Sequence, residues 1–215
     1  MKRHRLSLVT APTVEPVTLQ ELKAHLRLDD STAEDSLLSG LITVAREMAE
    51  DYTRRALITQ TWKMFMDSFP GGRSGQWWDG VREGALSELV GVGGVIEIPL
   101  GPLQSVTHIK TYDDSDVATT FSSTNYRVSA YSSERGRISL RDGQTWPTFE
   151  RNIDGIEIQF VAGYGATGAS VPGGIKEAIK AEAAYRYEHR GDCDAAGMAS
   201  SSAMSLLSRY KIMEL

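Results

Sequence analysis

The chain has 215 residues and a mass of 23.6 kDa, of which 41% are hydrophobic and 24% charged. A chain of that length buries about 70% of its unfolded surface, so it folds without staples as one large domain or a domain with an insertion, and global disorder is excluded. Twenty-eight acidic residues against 23 basic ones give a formal net charge of −5, which argues against a module that grips nucleic-acid backbone, and the single cysteine, Cys193, excludes an intrachain disulfide and a multi-cysteine zinc site.

The opening MKRHRLSLVTAPTVEPVT is basic but has no apolar core before it turns polar and proline-bearing, so it does not read as a signal peptide. Thr18 with Glu21 three residues later forms a capping box for a first short helix carrying Leu19, Leu22 and Leu26 and ending near Asp29. Ser31 or Thr32 then caps a second helix, with Glu34 and Asp35 in the first turn, where carboxylates favour the dipole. Leu38, Leu41, Ile42, Ala45, Met48, Ala49 and Tyr52 recur at three- and four-residue steps over about four turns. The two helices are expected to pack as an antiparallel pair.

The period changes to two at Leu57, where Ile58, Trp62, Met64 and Met66 share a strand face with Gln60 as the polar exception. Pro70, Gly71 and Gly72 turn the chain into a glycine-rich loop that runs to Gly94 and holds the adjacent Trp77 and Trp78. Strands follow in series: Val95 to Leu100, Ser105 to Asp114, and others starting at Asn125, Gly136 and Ile156. Short turns separate them, without helical crossovers, so the sheet is expected to be mostly antiparallel. After Pro172 a helix returns with a narrow face of Ile175, Ala178, Ile179 and Ala183, and Glu182 marks the edge of that face. Gly191 to Ser202 reads as mobile, and a last short helix holds Met204, Leu206, Leu207 and Tyr210.

The fold class is therefore α+β: N- and C-terminal helices packed as a small bundle, with an antiparallel β-rich insertion between them. Residues 1–215 read as one domain, 57–165 as the insertion and 191–215 as a flexible tail with a short helix.

Candidate chemistry is sparse. Gly163, Gly165 and Gly168 in GYGATG have G-x-G-x-x-G spacing after a strand, but Pro172 and two further glycines delay the helix and no second parallel strand follows. A turn explains them better than a phosphate cradle. His189, Asp192, Cys193 and Asp194 cluster on a polar helix end rather than in a metal cage. Cys193 has no visible base, and His108 faces out or pairs locally in its strand. Asp113, Asp114 and Asp116 lack the glutamate and spacing of a calcium loop and read as a β-turn. No catalytic, cofactor-binding or metal residue is assigned. Trp77 and Trp78 either meet another subunit or partner, close over the core as a lid, or line a ligand site, and interface hot spots favour tryptophan.

The sequence also resembles the head–tail connector, or adaptor, proteins of long-tailed phages, including those of prophages and gene transfer agents. The resemblance is carried by EPVTLQELKAHLRLDDSTAEDSLLSGLITVAREMAEDYTRRALITQTW from Glu15 to Trp62, by IEIPLGPLQSVTHIKTYD from Ile96, by NYRVS from Asn125, by Trp146-Pro147, by IEIQFVAGYG from Ile156, by VPGGIKEAIKAEAAYRYEHRGD and by LLSRYK from Leu206. It covers nearly the whole chain. It implies a non-enzymatic virion assembly role: a homo-oligomeric ring, often a dodecamer, made in the host bacterial cytoplasm and placed at the head–tail junction. Such a ring docks beneath the portal, extends the channel through which double-stranded DNA passes without sequence-specific binding, and presents a platform to a stopper or tail protein. Portal contact is implied for about Ala203 to Leu215, with Leu206, Leu207, Arg209 and Tyr210 as the motif residues. Deleting that segment is expected to leave a folded monomer that no longer binds portal. Mild acidity suits a channel wall along which DNA slides. The competing readings are another virion part, such as a stopper or tail terminator, and a small nucleotide- or metal-dependent enzyme.

Overall fold

The computed structural model describes residues 4–29, 31–70, 94–130, 135–190 and 200–212. The chain forms two compact units. One comprises Met1–Thr10, Thr61–Pro99 and Leu103–Val161, the other Ala11–Gln60, Leu100–Pro102 and Ala162–Leu215. The fold is α+β, with helices before and after an antiparallel β-rich insertion.

The helical unit holds α1 (Leu19–Leu26), α2 (Asp35–Thr53), α3 (Gly173–Glu188) and α4 (Ser201–Leu207). Thr18 starts α1 with the expected capping box: its Oγ1 accepts from Glu21 N at 3.2 Å, and Glu21 Oε2 accepts from Thr18 N at 2.7 Å. The expected cap of α2 is corrected. Glu34 occupies that position without a side-chain cap, while Ser31 Oγ accepts from Ala33 N in the preceding turn. The apolar stripe of α2 does face the core, where Leu38, Ile42, Ala45 and Ala49 are buried with Ile175, Ala178, Ile179 and Ala183 of α3. α3 packs against α1, α2 and α4. Its small residues allow the helices to approach closely, and each buried aliphatic side chain contributes about 1.5–3 kcal/mol. Glu182 does not lie at the edge of that face: its side chain is wholly buried.

Backbone bonds tie the chain segments of this unit where the insertion leaves and returns. Ala56 N donates to Gly101 O (2.8 Å), Gly163 N to Pro102 O (2.9 Å) and Thr59 N to Gly165 O (3.0 Å). The three glycines of GYGATG are spaced by packing. At Gly163, φ is +134° and a Cβ would lie 2.5 Å from Ile58 O; at Gly165 it would lie 2.4 Å from Ser170 Oγ, and at Gly168 2.5 Å from Pro16 O.

The β unit holds a five-stranded sheet in the order β1-β2-β8-β4-β5, from β1 (His4–Thr10), β2 (Gln60–Met66), β4 (Leu103–Tyr112), β5 (Ala118–Phe121) and β8 (Ile156–Ala162). β3 (Ile96–Glu97), β7 (Arg137–Leu140) and β6 (Tyr126–Ser129) form a three-stranded sheet in that order. β1 and β5, which no sequence pattern marks as strands, are the two edges of the larger sheet.

The register fixes strand direction. His4 pairs with Met66, Asp154 N donates to Asp67 Oδ1 (2.9 Å), Tyr112 N donates to Gly155 O (2.9 Å), and Tyr112 pairs with Ala118. The starts of β1, β8 and β5 therefore share one end of the sheet with the ends of β2 and β4, and every neighbouring pair is antiparallel.

Met64, Met66, Ile109, Ile156, Ile158 and Phe160 are buried along the inner strands. Trp146 stacks on Phe69 at 4.6 Å with near-parallel planes and lies 5.8 Å from Phe121, so the Trp-Pro pair anchors an aromatic cluster.

Candidate interaction surfaces

Polar clusters in each unit are internally satisfied braces. In the β unit, Glu157 of β8 is the acceptor for His108 Nε2 (3.0 Å), Tyr112 Oη (3.0 Å) and Lys63 Nζ (3.1 Å), so His108 pairs locally. Burial pushes the Glu157 carboxyl up, but the hydrogen bonds from His108, Lys63 and Tyr112 together overcome it and hold the carboxyl below the usual range. In the helical unit, Glu50 accepts from Leu57 N (2.8 Å), Gln60 Nε2 (2.6 Å) and Arg46 Nη1 (2.7 Å). Burial dominates there and raises its pKa, with the hydrogen bonds and Arg46 opposing. Arg46 also bonds Glu15 at 2.8 Å. These groups fasten the exit of α2 to the start of β2.

Glu182 is a third brace. Its Oε1 accepts from Arg186 Nε (2.7 Å), one turn on, and its Oε2 accepts from Ser200 N (2.7 Å). Ser200 in turn caps α4, accepting from Ala203 N. A fully buried carboxylate persists only with such partners, and here they dock α4.

The C-terminal residues divide by exposure. Leu207 is fully buried with Ala203, whereas Leu206 is 38% exposed and Arg209 is exposed. Tyr210 is half-buried: its ring closes over Gly174, and its carbonyl accepts from Arg55 Nε at 2.6 Å. Ile212 N donates to Thr53 O (3.1 Å), and Lys211 lies over the Tyr52 ring. The segment from Ala203 is thus part of the helical core, so its deletion strips that core rather than leaving an intact monomer; this revises the expected truncation. Adjacent leucines alone could not show which one faces inward.

Trp77, Trp78, Asp192, Cys193 and Asp194 lie outside the described residues. His189 closes α3, its Nδ1 donating to Tyr185 O at 2.8 Å. Asp113 caps its own turn, accepting from Ser115 N (2.9 Å) and Val117 N (2.8 Å), as a plain β-turn requires. Among the described residues, no cluster of three or more His, Cys, Asp or Glu could hold a metal ion, and no helix is long and apolar enough to cross a membrane.

The chain thus combines a helical unit and a β unit, each braced by buried carboxylates, with a C-terminal turn that exposes Leu206 and Arg209. The chain belongs to the family of Phage gp6-like head-tail connector proteins, whose model matches residues 16–134, more than half its length. No curated protein matches the chain. Among solved structures, it is similar to a chain in the neck of an empty gene transfer agent particle computed with C6 symmetry, at 26% identity and a TM-score of 0.75, covering 98% of this chain and 97% of that one. A chain in the virion of a native gene transfer agent particle is similar at 25% identity and a TM-score of 0.71, covering 98% and 96%. A chain in a native neck computed with C12 symmetry shares the fold at 22% identity and a TM-score of 0.72, covering 98% and 97%. The protein is a structural head–tail connector of a virion or phage-like particle, not an enzyme.

Proposed function

We propose that copies of this chain, twelve in number, form a ring beneath the portal, extend the DNA channel and carry the next stopper or tail protein. The observation behind this reading is the end-to-end likeness to a neck chain from a six-fold symmetric reconstruction, since an off-axis subunit in such a neck repeats in multiples of six. Residues 1–215 work as one connector domain with 57–165 as its β-rich insertion. Portal contact falls on the C-terminal segment, through Leu206 and Arg209 at the surface, with Leu207 and Tyr210 holding that surface in place. Trp77 and Trp78 meet a neighbouring copy or the tail-side protein. The net charge of −5 suits a wall that DNA slides past.

The test is to delete the gene in a particle-producing strain. DNA-filled heads without tails are expected, and electron microscopy of complemented particles should find twelve copies between the portal and the next neck protein. Tails joining normally without the protein, or its density at another position, overturns the proposal.

A further inference from the structure

We propose that neighbouring copies associate through opposite edges of the five-stranded sheet, β1 of one copy lying beside β5 of the next. This rests on the ring reading above and names its contact.

Among the described residues, no strand pairs with the outer side of either edge. Among them β1 is bonded only to β2 and is exposed on both faces, with Leu8 44% and Val9 48% exposed. An edge strand exposing apolar groups and unpaired backbone is a template for another strand, and monomeric proteins usually blunt it. At the other edge, β5 is short and exposed, and Val117 just before it is 60% exposed. A bulge at Val9 interrupts β1 near its far end, because Leu8 pairs with Trp62 and Thr10 with Thr61. The stretch from His4 to Leu8 is regular.

Direction and charge select a second copy as the occupant. β1 and β5 start at the same end of the sheet, so they run the same way. Rotation about an axis along the strands preserves that direction, and it brings the start of β1 beside the start of the next copy's β5. There the charges are complementary. β1 begins with His4 and Arg5, and Arg5 stays exposed although it pairs with Asp154 at 2.6 Å. β5 is preceded by the turn of Asp113, Asp114 and Asp116, in which Asp114 and Asp116 are exposed. A two-fold pairing of like edges would run antiparallel and set each charged strand start beside the other copy's uncharged strand end, leaving the charges unmatched. The head-to-tail pairing is heterologous, the type that closes into rings.

The experiment uses assembled particles containing Ser7→Cys and Thr120→Cys in one chain, with Cys193→Ala removing the native thiol. A short bis-maleimide reagent should give a ladder of cross-linked multimers, whereas each single-cysteine variant should give none beyond background. Asp114→Lys should lower the ladder yield about tenfold, and Asp114→Asn should lower it less. A ring visible by electron microscopy but without a ladder, or cross-links to a different protein, overturns the edge pairing and leaves the ring intact. Failure to find any ring overturns both. An unchanged ladder in Asp114→Lys overturns the charge matching.

Discussion

Leu206 and Leu207 are adjacent, yet substituting them should separate stability from binding. Leu207 is fully buried in the helical unit's core, and truncating a buried leucine to alanine costs about 2–5 kcal/mol, depending on how far the site collapses. Its helix has only seven residues and is held by packing rather than by its own propensity, so it relaxes easily. The lower part of the range applies, about 2–3 kcal/mol. For a chain of this size that lowers Tm by roughly 4–12 °C. Leu206 is 38% exposed, so Leu206→Ala should change stability by no more than about 0.5 kcal/mol. Thermal unfolding followed by far-UV circular dichroism measures both, and the yield of tailed particles measures assembly. Leu206→Ala should melt with the wild type but give fewer tailed particles. Equal melting points for Leu207→Ala and the wild type would refute the packing argument. Equal losses of stability in both variants would refute the division between inner and outer residues.

Two further outcomes follow from the braces and the glycines. The folded pKa of Glu157 lies below the unfolded value of about 4.3, so its contribution is fully present above that value and is lost as pH falls through the folded pKa. Glu157→Gln should destabilise the β unit by about 1–3 kcal/mol at pH 7 and flatten the acid limb in a urea-denaturation series; parallel pH profiles would disprove the role. Gly163→Ala meets both a positive φ and the Ile58 carbonyl, and should cost about 1–3 kcal/mol in the same assay. A neutral result there would show that the backbone shifts freely.

Sequence patterns revealed the elements whose partners impose a period. The stripe from Leu38 to Ala49 and the small face of α3 each see one packed surface, so their spacing shows it. β1 was missed because an edge strand exposed on both faces has no inward–outward alternation, and its partner lies more than fifty residues on. β5 was missed because four residues rich in threonine resemble the turns around them. The spacing of Gly163, Gly165 and Gly168 was legible as something other than a phosphate site, but the three separate obstructions behind it were not. The i,i+4 spacing of Glu182 and Arg186 is legible, but the burial of Glu182 is not, because its other partner, Ser200 N, is a backbone group for which no residue type gives a signal. Leu206 and Leu207 were both visible as apolar, but only helical phase against α3 distinguishes inner from outer.

The interleaving of the two units sets the order in which they can be completed during synthesis. The five-stranded sheet draws on both β1 and β8, so its first strand must wait for residues 156–162 before the sheet closes. The helical core waits longer still, because α2 is covered by α3 and Leu207 is among the last core residues made. Neither unit can be finished while the other is still to be started, and late long-range pairings of this kind make folding slow. A newly made subunit therefore completes its sheet edges before its C-terminal surface, and a half-made chain has no finished C-terminal surface to offer.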